Sequence, residues 1–258
     1  MKKNLCSTRL QPKNYTFALS IEHNMKMPLL DHLEELRHRM LWSVCIVISI
    51  LTTCVVHTAN IIEILQKPAQ GIQFLQYIPG EYLFISVHAA IFSGILIGSP
   101  FVVYQCLMFI LPGITQNERK IMLPVALSSC GLFIIGIVFG YFVIVPTTMH
   151  FFLTYGANIV KPYWSLEQYY KCILSILCNA GLAFQLPIIQ ILLGNLSIVP
   201  SKIMISKWRY VVVGATILGA ILTPSVDPLT QIVTMLALLL LYSVSTVVVL
   251  LTEVTPQT

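Results

Sequence analysis

The chain has 258 residues, of which 57% are hydrophobic and only 10% charged, and its formal net charge is +5. Soluble domains carry about 25% charged residues, so this composition, with a mean hydropathy of +0.83, excludes a soluble domain and gives no reason to expect a nucleic-acid partner. An all-α membrane protein with several spans in a lipid bilayer is what remains.

Residues 1–27 form a basic tail that lacks the apolar core of a secretory signal. The membrane domain is expected over 28–252, with a short C-terminal tail at 253–258. It opens with the octet HLEELRHR, His32 to Arg39, directly before seventeen residues without a charged side chain, Met40 to Val56. Further spans are predicted at Tyr82 to Leu111, Ile121 to Val145, Cys172 to Leu193, Tyr210 to Leu222 and Pro228 to Leu251, making six. Between the first two, Ile61, Ile62 and Leu65 predict a short amphipathic helix on the membrane surface, stopped by Pro68. Gly94–Gly98 and Gly136–Gly140 are G-x-x-x-G pairs that permit close helix approach. Tyr163, Trp164, Tyr169 and Tyr170 precede or open the fourth span as an interfacial aromatic belt. The fifth span is stopped by Pro224 after thirteen residues, about two thirds of a hydrocarbon core about 30 Å thick.

Twelve of the fifteen Lys and Arg residues fall on the side holding both termini. Only Lys67, Lys161 and Lys171 fall on the other. Positive residues collect in the cytoplasm or its organellar equivalent, so the termini are expected there.

Helix starts are marked by acids. Asp31 with Glu34, Thr115 with Glu118, and Ser165 with Gln168 read as capping boxes, and Asp227 before Pro228 reads as an N-cap. Glu35 lies outside its box, and its nearest helical partner is Arg39, a surface pair worth only about 0.3 to 0.5 kcal/mol. Helix dipoles favour ionised carboxylates at the openings of the first and third spans. Were those openings adjacent, Glu35 and Glu118 would form an acidic patch suited to a pair of guanidinium groups.

No phosphate loop, nucleophile elbow or H-E-x-x-H zinc motif occurs. The seven cysteines show no C-x-x-C spacing. No enzyme activity, cofactor or metal is therefore expected. His57, His88 and His150 fall near the far face, on separate helix ends.

HLEELRHR, PGEYLFIS at Pro79 to Ser86, SPFVVYQ at Ser99 to Gln105, FILPGITQNERK at Phe109 to Lys120, WRYVVVGA at Trp208 to Ala215 and TPSVDPLTQ at Thr223 to Gln231 together resemble the TatC family. TatC is the multispanning receptor subunit of the twin-arginine protein translocase. The resemblance implies a concave six-helix bundle with short fifth and sixth helices. It implies a signal-peptide site at Glu35 and Glu118, with Arg37, Phe109 and Pro112 at associated motif positions, and polar positions at Asp227 and Gln231. Implied partners are TatA-type and TatB-type single-span subunits, twin-arginine signal peptides of folded precursors, and other copies of the chain. Transport is implied to run on a proton gradient.

Many bacterial TatC proteins carry a glutamate in the fourth span where this chain has Gln185. A glutamine cannot exchange a proton, and its expected role is a hydrogen bond across helices. Together with PGEYLF, WRYVVVGA and TPSVDP, Gln185 resembles the plastid branch, which implies a thylakoid location, a bacterial inner membrane being the alternative. The rival class is a proton-coupled secondary transporter with Asp227, Gln185 and Asn179 along a small-solute path near the bilayer midplane. A noncatalytic scaffold, binding no peptide, is the third reading.

Overall fold

The computed structural model describes the backbone of residues 29–69, 72–110, 116–155, 163–195, 198–223 and 227–254; within these, the side chains of 29–33, 110, 116–123 and 252–254 are not described. The first span is α1, Leu29–Val56. A surface helix α2, Thr58–Gln66, runs into a 3-10 turn at Lys67–Ala69. The second span is α3, Glu81–Ile110. The third is α4, Gln116–Phe139, continued through a π-helical turn at Gly140–Ile144 into α5, Val145–Thr154.

The fourth span consists of α6, Leu166–Ala183, and α7, Leu186–Asn195. A short helix α8, Ser201–Ser206, leads to the fifth span α9, Trp208–Leu222, and α10, Pro228–Val254, is the sixth. Five of these spans are long and apolar enough to cross a membrane and α9 is shorter, which is the expected six-helix architecture.

Several boundaries differ from expectation. The sixth span is not short: α10 has 27 residues, because nothing between Pro228 and Val254 breaks the helix. Only α9, with 15 residues, is truncated. The first helix starts at Leu29, so Asp31 lies inside its first turn and is not the N-cap. Thr115 lies outside the described residues. Ser165 is the N-cap of the fourth span, its hydroxyl accepting from the Gln168 N–H at 3.4 Å, which is one half of the expected box. The third span runs nine residues past Val145 because the π-turn absorbs Pro146, whose missing N–H would have interrupted a regular α-helix.

At the far end, opposite Arg39 and Lys202, the connections are tied together. Phe74–Leu75 pairs in parallel with Trp164–Ser165, a two-residue ladder that no sequence pattern signalled. The predicted surface helix is present as α2, with Ile62 and Leu65 buried. Its last carbonyls accept from the third and fourth spans, Ile64 O from the Tyr141 hydroxyl at 2.7 Å and Leu65 O from the Tyr169 hydroxyl at 2.8 Å. Those bonds correct the aromatic-belt expectation. Tyr169 and Tyr170 are core residues, each 2% exposed, because the end of α2 covers them and gives Tyr169 a buried acceptor; of the four, Tyr163 alone keeps a large exposed surface.

Gly80, at φ +83°, makes the left-handed turn into α3. The Glu81 carboxylate is buried there and accepts from the Tyr77 N–H at 2.7 Å and the Ile78 N–H at 3.3 Å. The PGE motif is thus a cap that ties the loop before α3 to the start of that helix.

The glycine pairs are packing sites. A Cβ built on Gly94 would lie 2.9 Å from the Leu51 Cα, and one on Gly136 would lie 2.8 Å from the Ala180 carbonyl oxygen. Backbone cannot yield as a side-chain tip does, so Gly94→Ala is expected to cost about 1 to 3 kcal/mol. It should lower the thermal midpoint of the detergent-solubilised protein. Gly131→Ala, where a Cβ meets nothing within 4 Å, is the matched control and should leave the midpoint unchanged or raised.

Candidate functional site

The side chains on which the sequence analysis focused divide between the two ends of the bundle. At the end where α1 starts and α3 finishes, Glu35 is held by Arg39. Arg39 Nε and a terminal guanidinium nitrogen both donate to Glu35 Oε1, at 3.0 and 2.6 Å. The second terminal nitrogen donates to Gln105 Oε1 at 3.2 Å. The spacing of four residues puts Glu35 and Arg39 on one helical face, and the bond to Gln105 sets that face against the last turns of α3. The carboxylate and guanidinium are about a quarter exposed.

Two cavities meet at this pair. The first, about 580 Å³, is lined by Glu34, Glu35, His38, Arg39, Trp42 and Gln105. The Trp42 indole N–H donates to His38 Nε2 at 3.1 Å, fixing two of its walls. The second, about 590 Å³, follows the seam between α1 and α3 and is almost wholly apolar; Met40, Val44, Val47, Val102 and Phe109 form its walls. Arg39 and Gln105 border both. An acidic vestibule therefore opens directly onto an apolar trough. Gln105, His38 and Trp42 were not singled out from sequence, although Gln105 ends the SPFVVYQ motif.

Phe109 is one of the trough's walls. Arg37 is exposed on α1, two residues from Glu35. Glu118 lies in the first turn of α4, at the same end of the bundle as the close of α3, and its side chain lies outside the described residues. Pro112 also lies outside them.

At the opposite end, Asp227 is 1% exposed and caps α10, accepting from the Thr230 N–H at 2.9 Å. The Thr230 hydroxyl also donates to the same carboxylate oxygen. A further bond of 3.0 Å joins Thr230 Oγ1 to Thr148 Oγ1 on α5. Thr148 is six residues from the end of α5, which sets this cluster about 9 Å inside that end.

The short α9 ends deeper. Its Leu222 carbonyl accepts from Asn179 Nδ2 at 2.6 Å, and Asn179 is thirteen residues into α6, about 20 Å. A side chain thus satisfies a helix-end carbonyl that lipid could not. Gln231 Nε2 reaches the Thr216 carbonyl at 3.5 Å.

Gln185 occupies the break between α6 and α7, ahead of Pro187, and donates to the Ser129 carbonyl at 3.1 Å across to the third span. That is the interhelical bond expected of it. Asn179, Gln185 and Asp227 are therefore each engaged in separate structural bonds, an arrangement unlike a shared solute path. His57 heads α2, His88 stacks on Phe92 within α3 at 4.8 Å, and His150 is exposed on α5, three separate places as expected.

Six hydrophobic spans, with an acidic vestibule at one end and a buried, capped helix start at the other, define a multispanning membrane protein. The profile of the Sec-independent protein translocase protein (TatC) family matches residues 31–237, and the chain belongs to that family. It is 50% identical over 228 residues to the tatC-like protein ycf43 of Guillardia theta, covering 88% of this chain and 79% of that protein. It is 46% identical to the Sec-independent protein translocase protein TatC of Synechocystis, over 82% of this chain and 83% of the relative. Rice chloroplastic TATC is 44% identical over 84% of this chain and 61% of its own length. The crystal structure of the twin-arginine translocase receptor TatC in DDM superimposes with a TM-score of 0.73 at 30% identity, over 84% of this chain and 98% of that one. The protein is accordingly a multipass membrane component of twin-arginine translocation, of the plastid-like branch.

Proposed function

We propose that this chain is the subunit that receives twin-arginine signal peptides of folded precursors. A leader peptide presents a basic segment followed by 7 to 15 apolar residues, the order in which acidic vestibule and apolar trough lie along the α1–α3 seam. That adjacency is the observation carrying the proposal. The leader's arginines dock on Glu35 and Glu118, and its apolar segment lies beside Phe109, with Arg37 and Pro112 contributing to the same recognition.

The vestibule end faces the cytoplasm or stroma. Lys67 and Lys171 lie at one end of the bundle, while Arg37, Arg39, Lys202, Lys207 and Arg209 lie at the other, and this asymmetry supports that orientation. TatA-type and TatB-type single-span subunits, with further copies of the chain, complete a translocase of the thylakoid membrane driven by the proton gradient. Asp227 and Gln231 act in the transport step and not in leader recognition.

A photocrosslinking scan with labelled precursor, placing the probe at each position from Asp31 to Met40 and from Ile114 to Lys120, tests the receptor assignment. Adducts are expected to recur every three to four residues, on the face of Glu35 and Arg39. Uniformly weak labelling, or equal labelling by a leader whose arginine pair is replaced by lysines, would overturn it.

A further inference from the structure

Behind α8, at the end of the bundle where α1 starts and α10 finishes, a third cavity of about 340 Å³ separates α7, α9 and α10. Val199, Met204, Val211, Gly214, Leu218 and Leu238 form much of its wall. Two polar side chains border it, and both are already bonded. Gln190 donates to Thr246 Oγ1 at 2.7 Å and accepts from the Ser245 hydroxyl, while the Tyr242 hydroxyl donates to the Met204 carbonyl at 3.2 Å. A polar occupant would find few free partners inside, and a hydrocarbon chain gives up nothing by entering.

The entrance has the opposite character. Lys202 lies on α8 two residues before the wall residue Met204, Lys207 lies four residues before the wall residue Val211, and Arg209 is in the first turn of α9; all three are exposed. Lys207 Nζ lies 5.3 Å from the centre of the Tyr210 ring, and the Arg209 guanidinium lies 5.9 Å from that of Trp208. Exposed tryptophan and tyrosine belong at headgroup level. The stretch from Val199 to Leu222 contains no acidic residue to neutralise these cations. From Lys207 to Leu218 is eleven residues, about 16 Å of helix, which matches the hydrocarbon depth of one leaflet, about 15 Å.

We propose that this groove is a binding site for an acidic membrane glycerolipid, with its anionic headgroup on Lys202, Lys207 and Arg209 and one acyl chain between α7, α9 and α10. The charge at the entrance selects the headgroup class, and the groove retains the chain. Such a lipid props the short α9 against its neighbours over the leaflet in which α9 begins.

Gly214 gives the test. It lines the groove, and a Cβ built there meets nothing within 4 Å, so Gly214→Leu fills the acyl position without striking backbone. The full-length protein is reconstituted in nanodiscs holding equal amounts of dioleoylphosphatidylglycerol and dioleoylphosphatidylcholine, and lipid retained after delipidating washes is counted by native mass spectrometry. The unsubstituted protein is expected to retain the acidic lipid over the zwitterionic one by about tenfold. Gly214→Leu should lower that retention about fivefold, and a Lys202→Gln, Lys207→Gln, Arg209→Gln triple variant should level the two lipids. If Gly214→Leu fails to fold, the triple variant, which alters only exposed side chains, still decides. Equal retention of both lipids by the unsubstituted protein, or selectivity untouched by the triple variant, overturns the proposal. So does undiminished lipid retention by a folded Gly214→Leu that loses crosslinking to a single-span subunit, since a protein helix would then be the occupant.

Discussion

Replacing Glu35 and Glu118 together by glutamine is expected to weaken binding of a twin-arginine leader about 100-fold, or about 2.7 kcal/mol. Glutamine keeps the size and the acceptor oxygen but removes the charge, so the loss measures the charge-assisted component alone. Each hydrogen bond to a charged group contributes about 1.5 to 3 kcal/mol, and exposure at the rim together with ionic screening brings two such contacts down to the stated figure.

The existing partner of Glu35 does not prevent this. The bond to Arg39 is a partly exposed i,i+4 pair, in a class worth about 0.3 to 0.5 kcal/mol. Gln105 already holds one arm of Arg39 and can retain it when a leader arginine takes the carboxylate. A labelled synthetic leader titrated against the reconstituted protein gives the affinity, and raising the salt should weaken binding to the unsubstituted protein more than to the double variant. Equal affinity of the two proteins would remove the acidic-rim mechanism, whatever crosslinks form nearby.

The spans were legible because burial in lipid imposes a single rule, a long apolar run between charges, which the chain obeys five times and, in the shorter α9, in part. Less legible was whatever depends on a partner distant in sequence. Tyr169 and Tyr170 look interfacial from composition, yet Tyr169 is drawn into the core by the Leu65 carbonyl, 104 positions away. Phe74 and Leu75 form a strand only because Trp164 and Ser165 lie alongside. The sixth helix was expected to be short from the resemblance, although no residue within it gives a stop signal, and the local pattern was the better guide.

At the vestibule, Glu35 could be selected because an acid at a span's end is costly without a strong partner, and Phe109 because it falls in the FILPGITQNERK motif. Gln105 and Trp42 could not, since their roles arise from the packing of α1 on α3. The break at Gln185 was partly visible in Pro187, whose missing N–H leaves the Ala183 carbonyl without its helical donor.

Asp227→Ala and Asp227→Asn should separate helix capping from a role for charge in transport. Asparagine caps about as well as aspartate and keeps an oxygen to accept from the Thr230 N–H, so Asp227→Asn is expected to leave the thermal midpoint near that of the unsubstituted protein. Alanine removes the acceptor of the buried Thr230 N–H, and the lost cap alone costs about 0.5 to 2 kcal/mol; Asp227→Ala should melt lower. If capping were the whole role, an ionisable group about 9 Å inside the bundle end would be a needless expense, because a neutral residue serves as well without desolvating a carboxylate. Both variants are therefore expected to lose transport by about tenfold or more while binding leader peptide normally, as the vestibule lies at the opposite end. Transport by Asp227→Asn at the unsubstituted rate would reduce Asp227 to a helix cap and leave the proton-driven step to other groups.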